Sequence, residues 1–352
     1  MAFLKNIRTL SPDEINEWFL SKGEKKYRAK QVWEWIWKKH ALSIDDMTNL
    51  SHELREEMKK EFSLPAISMY TSQHSHDGTI KAGFKTSDGN IMEGVLIPAE
   101  GRQTACVSCQ VGCSLNCKFC ATGYLGRIRN LSFDEIYDQV VFLNDLALQT
   151  SGKKLSNVVY MGMGEPMLNY RNVMKSIERV TAEDGLGMSP RRITVSTSGV
   201  SKMIKQLGDD GVKFNLAVSL HAAFDEKRSR IMPINDKNNI ASLVEALNYF
   251  YEKTQNEITF EYILFKDFND SLKDADQLIK LYRKIPVKLI NVIEYNPIEN
   301  AHFEKPELNV IHRFMDYLAA HKVNTRLRLS RGKDIDAACG QLANKAAKAE
   351  NV

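Results

Sequence analysis

From about residue 103 to residue 329 the chain alternates short apolar runs with amphipathic helical stretches. TACVSCQ (104–110), SNVVYMG (156–162), RRITVST (191–197), VKFNLAVSL (212–220), EITFEYILF (257–265), VKLINVIEY (287–295) and NTRLRL (324–329) read as strands. A capping box from Ser132 to Glu135 opens one of the helices between them. Strands that alternate with helices lie parallel and are joined by right-handed crossovers. The pattern therefore predicts an α/β fold, as an open doubly wound sheet or a partial barrel. Such folds build their sites in the loops that leave the C-terminal strand ends. Those loops hold neither a dinucleotide fingerprint nor a P-loop.

The preceding part reads differently. Ser11-Pro12-Asp13-Glu14 is an N-cap followed by Pro at the first helical position and a Glu three residues on, and further helical patterns cover 27–40 and 50–62. Asp88-Gly89, flanked by alternating runs over 79–98, signals a hairpin. The expected division is an N-terminal helical accessory domain (1–75), a connecting β-hairpin (76–100) and a catalytic domain (101–345). Apolar content of 43% and charged content of 26% fit a globular protein. No run approaches the ~18 apolar residues of a membrane span, and MAFLKNIRTL lacks a leader pattern, so a cytoplasmic location without membrane partners is expected. Net charge is only +4, yet residues 22–39 hold seven Lys/Arg against two Glu, and residues 321–333 hold five Lys/Arg and no acid. Such runs suit either a solvated face or a phosphate-binding surface. Trp33, Trp35 and Trp37 interleave with the first and are expected mainly as core.

Five of the six cysteines fall in CVSCQVGCSLNCKFC, residues 106–120, and the sixth is Cys339. In a reducing compartment such a cluster signals metal or redox chemistry. Cys106-x2-Cys109 with Cys117-x2-Cys120 has the form of a structural zinc site. Cys113, Cys117 and Cys120 instead form C-x3-C-x2-C, three thiolates that leave one iron of a four-iron cluster without a protein ligand.

CSLNCKFC resembles the radical S-adenosylmethionine signature, and GMGEP (162–166) resembles that superfamily's GGEP-type motif. Together with ACVS, CKFCATG, GMGEPMLN, SLHA and RGKDIDAACGQL, the chain closely resembles the dual-specificity RNA adenine-C2 methyltransferases, the RlmN family, from about residue 5 to 342. The resemblance implies a partial (β/α)6 radical SAM barrel. It also implies a 4Fe-4S cluster on Cys113, Cys117 and Cys120, and S-adenosylmethionine, two molecules per turnover. Gly164, Glu165, Ser196, Ser219, Leu220, His221 and Asn296 match positions around that cofactor, with Glu165 meeting its ammonium group.

The implied chemistry accounts for the remaining thiols. Carbon 2 of adenine does not attack a sulfonium methyl as a nitrogen does. By resemblance, the Cys339 sulfur first takes a methyl group, that group is activated by a radical and added to the adenine, and Cys106 then resolves the protein–RNA adduct through a transient Cys106–Cys339 disulfide. Glu93, on the strand face of Ile91, Val95 and Ile97, is the expected proton acceptor. Cys109 stands where Ser is usual. Implied partners are 23S rRNA (adenine 2503), tRNA (adenine 37) and an electron donor such as flavodoxin. Two alternatives remain at this point: methylation of carbon 8 of the same rRNA adenine, and a non-catalytic iron–sulfur RNA-binding protein.

Overall fold

The computed structural model describes residues 4–343, so the ends of the expected 1–75 and 101–345 segments lie outside the described residues. Ten strands form one sheet: β1 (Ile67–His74), β2 (Ile80–Thr86), β3 (Ile91–Ala99), β4 (Arg102–Cys106), β5 (Asn157–Tyr160), β6 (Ile193–Thr197), β7 (Asn215–Ser219), β8 (Ile258–Leu264), β9 (Val287–Glu294) and β10 (Thr325–Arg328). Their spatial order follows the chain from β1 to β10. Pairing from β1 to β4 is antiparallel, and from β4 to β10 it is parallel. Six strand–helix units, with helices Phe133–Ser151, Tyr170–Thr181, Ser201–Asp209, Ile240–Thr254, Leu272–Tyr282 and Leu308–Ala320, lead to the seventh parallel strand, β10. Of the two α/β arrangements that the alternation allows, the partial barrel is the fold found, as the family resemblance implies. Its parallel strands read as near-continuous apolar runs because both faces are covered: Val195, Leu216, Val218, Phe260 and Val292 are fully buried.

Two differences from the sequence reading matter. The run 104–110 is not one strand. β4 ends at Cys106, and the chain turns so that the Cys109 N–H reaches the Met163 carbonyl at 2.9 Å; pairing resumes only in the short strand Gln110–Gly112 against Arg127–Asn130. The helical region stops at Glu61, and residues 67–74 supply a third antiparallel strand, so the Asp88-Gly89 hairpin is an integral extension of the barrel sheet.

The N-terminal helices Pro12–Ser21, Tyr27–Trp33 and His52–Glu61 form a small core around Phe19, Ile36, Trp37 and Met58. Ser11 and Glu14 make the expected reciprocal cap. Trp37 is buried, Trp33 packs against it at 5.8 Å, and the Trp35 indole N–H donates to Asn49 Oδ1 at 2.6 Å. One buried ion pair fastens this region to the barrel. Arg8 pairs with Asp138 of helix Phe133–Ser151, both side chains being fully buried. Arg8 also donates to the carbonyls of Ile36 (3.3 Å) and Ala41 (3.0 Å), while Asp138 Oδ2 accepts from the Ala66 N–H at 2.6 Å. With every polar atom partnered, the cost of burial is offset, but removal of one partner leaves an uncompensated charge. Asp138→Ala is expected to lower the unfolding free energy by about 3–5 kcal/mol; a urea-denaturation loss below about 1 kcal/mol, the range of an exposed pair, would contradict this account.

Candidate active site

A cavity opens at the C-terminal ends of the parallel strands. Its wall contains Cys106, Cys113, Cys117, Cys120, Gly164, Glu165, Ser196, Ser219, His221 and Cys339. Residues from five separate strand ends thus converge, as barrel geometry dictates. Three expected residues do not line the cavity. Leu220 is fully buried, and its carbonyl accepts from Arg228 Nε at 3.2 Å. Asn296 is buried, its amide donating to Ser330 Oγ (2.9 Å) and to the Cys339 carbonyl (3.4 Å). Glu93 is buried on the same strand as Val95 and Ile97, which do line the cavity, and its Oε2 accepts from the Ala343 N–H at 2.9 Å.

The cysteine loop is shaped by backbone bonds. The Cys113 N–H donates to the Gly126 carbonyl at 3.0 Å, the Lys118 N–H to the Ile231 carbonyl at 2.9 Å, and the Cys120 N–H to the Cys117 carbonyl at 3.2 Å. Burial pushes all three thiols up, Cys113 to about 12. Among the described residues no three His, Cys, Asp or Glu side chains sit close enough to hold a single ion. The zinc grouping fails on direction: Cys109 is buried outside the cavity, its thiol donating to the Met163 carbonyl at 3.7 Å. Cys109 is therefore a packed core residue. The three cavity thiols fit an iron–sulfur cluster with one open iron.

Glu165 caps the turn Pro166–Asn169, accepting from the Met167 N–H (3.1 Å) and the Ser198 N–H (2.7 Å). Burial raises its pKa, with the Ser198 N–H as the main opposing influence. A cationic ligand would stabilise its charged form. Gly164, at φ +99°, leaves no room for a side chain: a Cβ there would lie 2.5 Å from that of Gln110. His221 accepts from the Ile263 N–H through Nδ1 at 3.1 Å, and burial lowers its pKa to about 3, so it is neutral with its proton on Nε2.

Several residues escaped the sequence reading. Arg328, at the end of β10, lines the cavity with Glu261 and bonds its Oε2 at 3.1 Å, while Asn291 holds Glu261 Oε1 at 2.7 Å. The guanidinium is pushed above its ordinary range, first by the Cys339 sulfur, against burial, and then by Glu261 and Cys106. Arg228, fully buried, ties together the carbonyls of Ser198 (2.7 Å), Ser219 (3.2 Å) and Leu220. Only the charge run 321–333 hinted at Arg328; nothing local marked Arg228.

Three thiols beside a glycine-lined, carboxylate-bearing cavity in an open (β/α)6 barrel define the radical SAM class, and residues 107–279 match the Radical SAM superfamily. Residues 5–64 match the ribosomal RNA large subunit methyltransferase N-terminal domain. A probable dual-specificity RNA methyltransferase RlmN of Christiangramia forsetii is 51% identical, over 97% of each chain. A dual-specificity RNA methyltransferase RlmN of Campylobacter fetus is 40% identical, over 97% of this chain and 99% of that one. The crystal structure of a radical SAM methyltransferase from Sphaerobacter thermophilus superposes with a TM-score of 0.91 at 39% identity, covering 96% of this chain and 99% of that one. The chain belongs to the RlmN family of radical SAM RNA methyltransferases.

All six cysteines are free in this structure, so no disulfide is formed among them. Burial, with the nearby Cys339 sulfur adding to it, pushes Cys106 up to about 12. Its thiol is therefore protonated at neutral pH. In anaerobic protein at pH 7.5, Cys106 is expected to react with iodoacetamide at least about tenfold more slowly than free cysteine, with the rate still rising above pH 9. A plateau below pH 9 would contradict this assignment.

Proposed function

We propose that the protein methylates carbon 2 of adenine in RNA, in 23S rRNA at adenine 2503 and in tRNA at adenine 37, through an S-methyl group carried on Cys339. The observation that carries this reading is that Cys339 and Cys106, though 233 residues apart in the chain, face one cavity together with the C-x3-C-x2-C thiols. A structural cluster in a mere RNA-binding protein has no use for that pair.

In this reading Cys113, Cys117 and Cys120 hold a 4Fe-4S cluster, and Gly164, Glu165, Ser196, Ser219 and His221 enclose S-adenosylmethionine, with Leu220 and Asn296 shaping the loops behind them. When bound, these groups supply the 5′-deoxyadenosyl radical. Two S-adenosylmethionine molecules are used per turnover, one donating its methyl group to Cys339. Cys339 carries that carbon to the base and is joined to the RNA through it. The carboxylate of Glu93, with Lys81 Nζ at 3.8 Å, is the acceptor for the carbon-2 proton. The Cys106 sulfur attacks the Cys339 sulfur, breaking the bond from that sulfur to the RNA-borne carbon and leaving a transient disulfide that a thiol reductant must return to two thiols, while an electron donor such as flavodoxin would supply the electron on which the radical depends. Residues 1–75 act as the RNA-binding accessory domain, 76–100 as its connection and 101–345 as the catalytic domain. Among the described residues no helix is long and apolar enough to cross a membrane, and the setting in this reading is the cytoplasm.

Anaerobic reconstitution with iron and sulfide, followed by RNA methylation with labelled S-adenosylmethionine and mass spectrometry of the nucleosides, tests the reading. The expected product is 2-methyladenosine; 8-methyladenosine would replace the reading with its carbon-8 alternative. Cys339→Ala is expected to abolish methyl transfer while leaving the cluster absorbance intact, and residual turnover in that variant would refute the carrier role. For the accessory domain, Lys25 and Lys26 are exposed, whereas Arg28 donates to the Asn49 carbonyl at 2.9 Å and is tied into the fold. Neutralising Lys25 and Lys26 is expected to flatten the salt dependence of RNA affinity by about 1.4–1.8 in log–log slope; an unchanged slope would exclude this face.

A further inference from the structure

The segment that follows β10 has no core of its own. Between Arg328 and Cys339 only Lys333–Ile335 forms a single helical turn, and two residues, Gly332 and Asp336, adopt left-handed backbone conformations. Its position must therefore be imposed from outside.

Besides the hold from the β9 side, where Asn296 donates to Ser330 Oγ (2.9 Å) and Lys333 Nζ to Glu294 Oε2 (2.6 Å), two separate clamps impose it. Beyond Cys339, the Ala121 N–H donates to the Gly340 carbonyl at 2.7 Å, and the Thr122 hydroxyl donates to the Leu342 carbonyl at 2.7 Å; Thr122 is buried. This clamp belongs to the cysteine loop. Before Cys339, the grip comes from the turn 75–79 between β1 and β2, more than 250 residues earlier. Ser75 Oγ donates to Asp334 Oδ1 at 2.5 Å and the His76 N–H to Asp334 Oδ2 at 3.2 Å. Asp77 Oδ2 accepts from the Gly332 N–H at 3.0 Å, while its Oδ1 accepts from the Thr79 N–H at 2.9 Å, which fixes the turn itself. Lys81 Nζ reaches the Asp336 carbonyl at 3.5 Å. The approach is close: a Cβ on Gly332 would lie 2.9 Å from Thr79 Cγ2 and 2.8 Å from Ala337 Cβ.

The two clamps differ in kind. The cysteine-loop clamp is largely dry, whereas the carboxylates of Asp77 and Asp334 are solvent-accessible and bind through hydrogen bonds that water can replace. The half of the loop before Cys339 is therefore the half that can be released.

We propose that the turn 75–79 is a latch that positions Cys339, with Asp77 and Asp334 as its positioning residues, holding the sulfur over the cavity and letting it swing when the latch opens. This gives the antiparallel extension of the barrel a role in the reaction. It rests on the reading of Cys339 as methyl carrier, which needs one sulfur to meet first a methyl donor, then the base, then Cys106.

The test uses the full-length, anaerobically isolated protein and iodoacetamide as the probe, without RNA or added S-adenosylmethionine. Alkylation of Cys339 is followed in its tryptic peptide, residues 334–345, with Cys109 of the same molecule as an internal control. Asp77→Ala and, separately, Asp334→Ala are expected to accelerate Cys339 alkylation about tenfold by local opening, with Cys109 unchanged. Asp77→Asn, which keeps one of the two acceptor oxygens, is expected to fall between the parent and Asp77→Ala. Cys339 rates within twofold of the parent in both alanine variants would overturn the latch, and so would Cys109 accelerating in step, because that marks general loosening. Since this readout needs no methyl transfer, an inactive protein that still shows the differential would sink the functional reading and leave the latch standing.

Discussion

The contact on which the site depends is the pair of hydrogen bonds that closes the last segment of the chain onto the cysteine loop, from Ala121 N–H to the Gly340 carbonyl and from the Thr122 hydroxyl to the Leu342 carbonyl. Everything upstream serves to make that contact available. Because the strands follow one another in chain order across the sheet, β10 emerges at one edge and β4 lies six parallel strands away. Only the curvature of an open barrel brings the loops at these two strand ends back together. A flat sheet of the same order would separate Cys106 from Cys339.

The antiparallel strands β1 to β3 complete the enclosure. They continue the sheet beyond β4 and place Val95 and Ile97 on the cavity wall and the turn 75–79 against the loop that carries Cys339. At the other side of the molecule, the buried Arg8–Asp138 pair locks the N-terminal helices to the helix that follows β4.

Much of this was legible in the sequence, and the reasons are local. Parallel strands buried on both faces announce themselves as apolar runs, and C-x3-C-x2-C is a spacing with few uses. What escaped notice depends on tertiary partners. β1, ISMYTSQH, is mostly exposed and shows no alternation, so only its pairing with β2 makes it a strand. Arg8 and Arg228 read as surface charges until their buried carbonyl and carboxylate partners are known. The run 104–110 has strand composition throughout, but Val107 to Cys109 must leave the sheet to meet the Met163 loop, a demand made by GMGEP more than fifty residues later. The role of Cys109 became decidable only from the direction of its thiol.

The central claim is that the sulfur of Cys339 carries the carbon that ends on RNA. The most direct measurement is peptide mass spectrometry after incubation of the reconstituted protein with methyl-labelled S-adenosylmethionine and before RNA is added. One labelled methyl on Cys339, lost as RNA becomes labelled in equal amount, is the predicted result. RNA methylation proceeding while Cys339 never bears the label would contradict it.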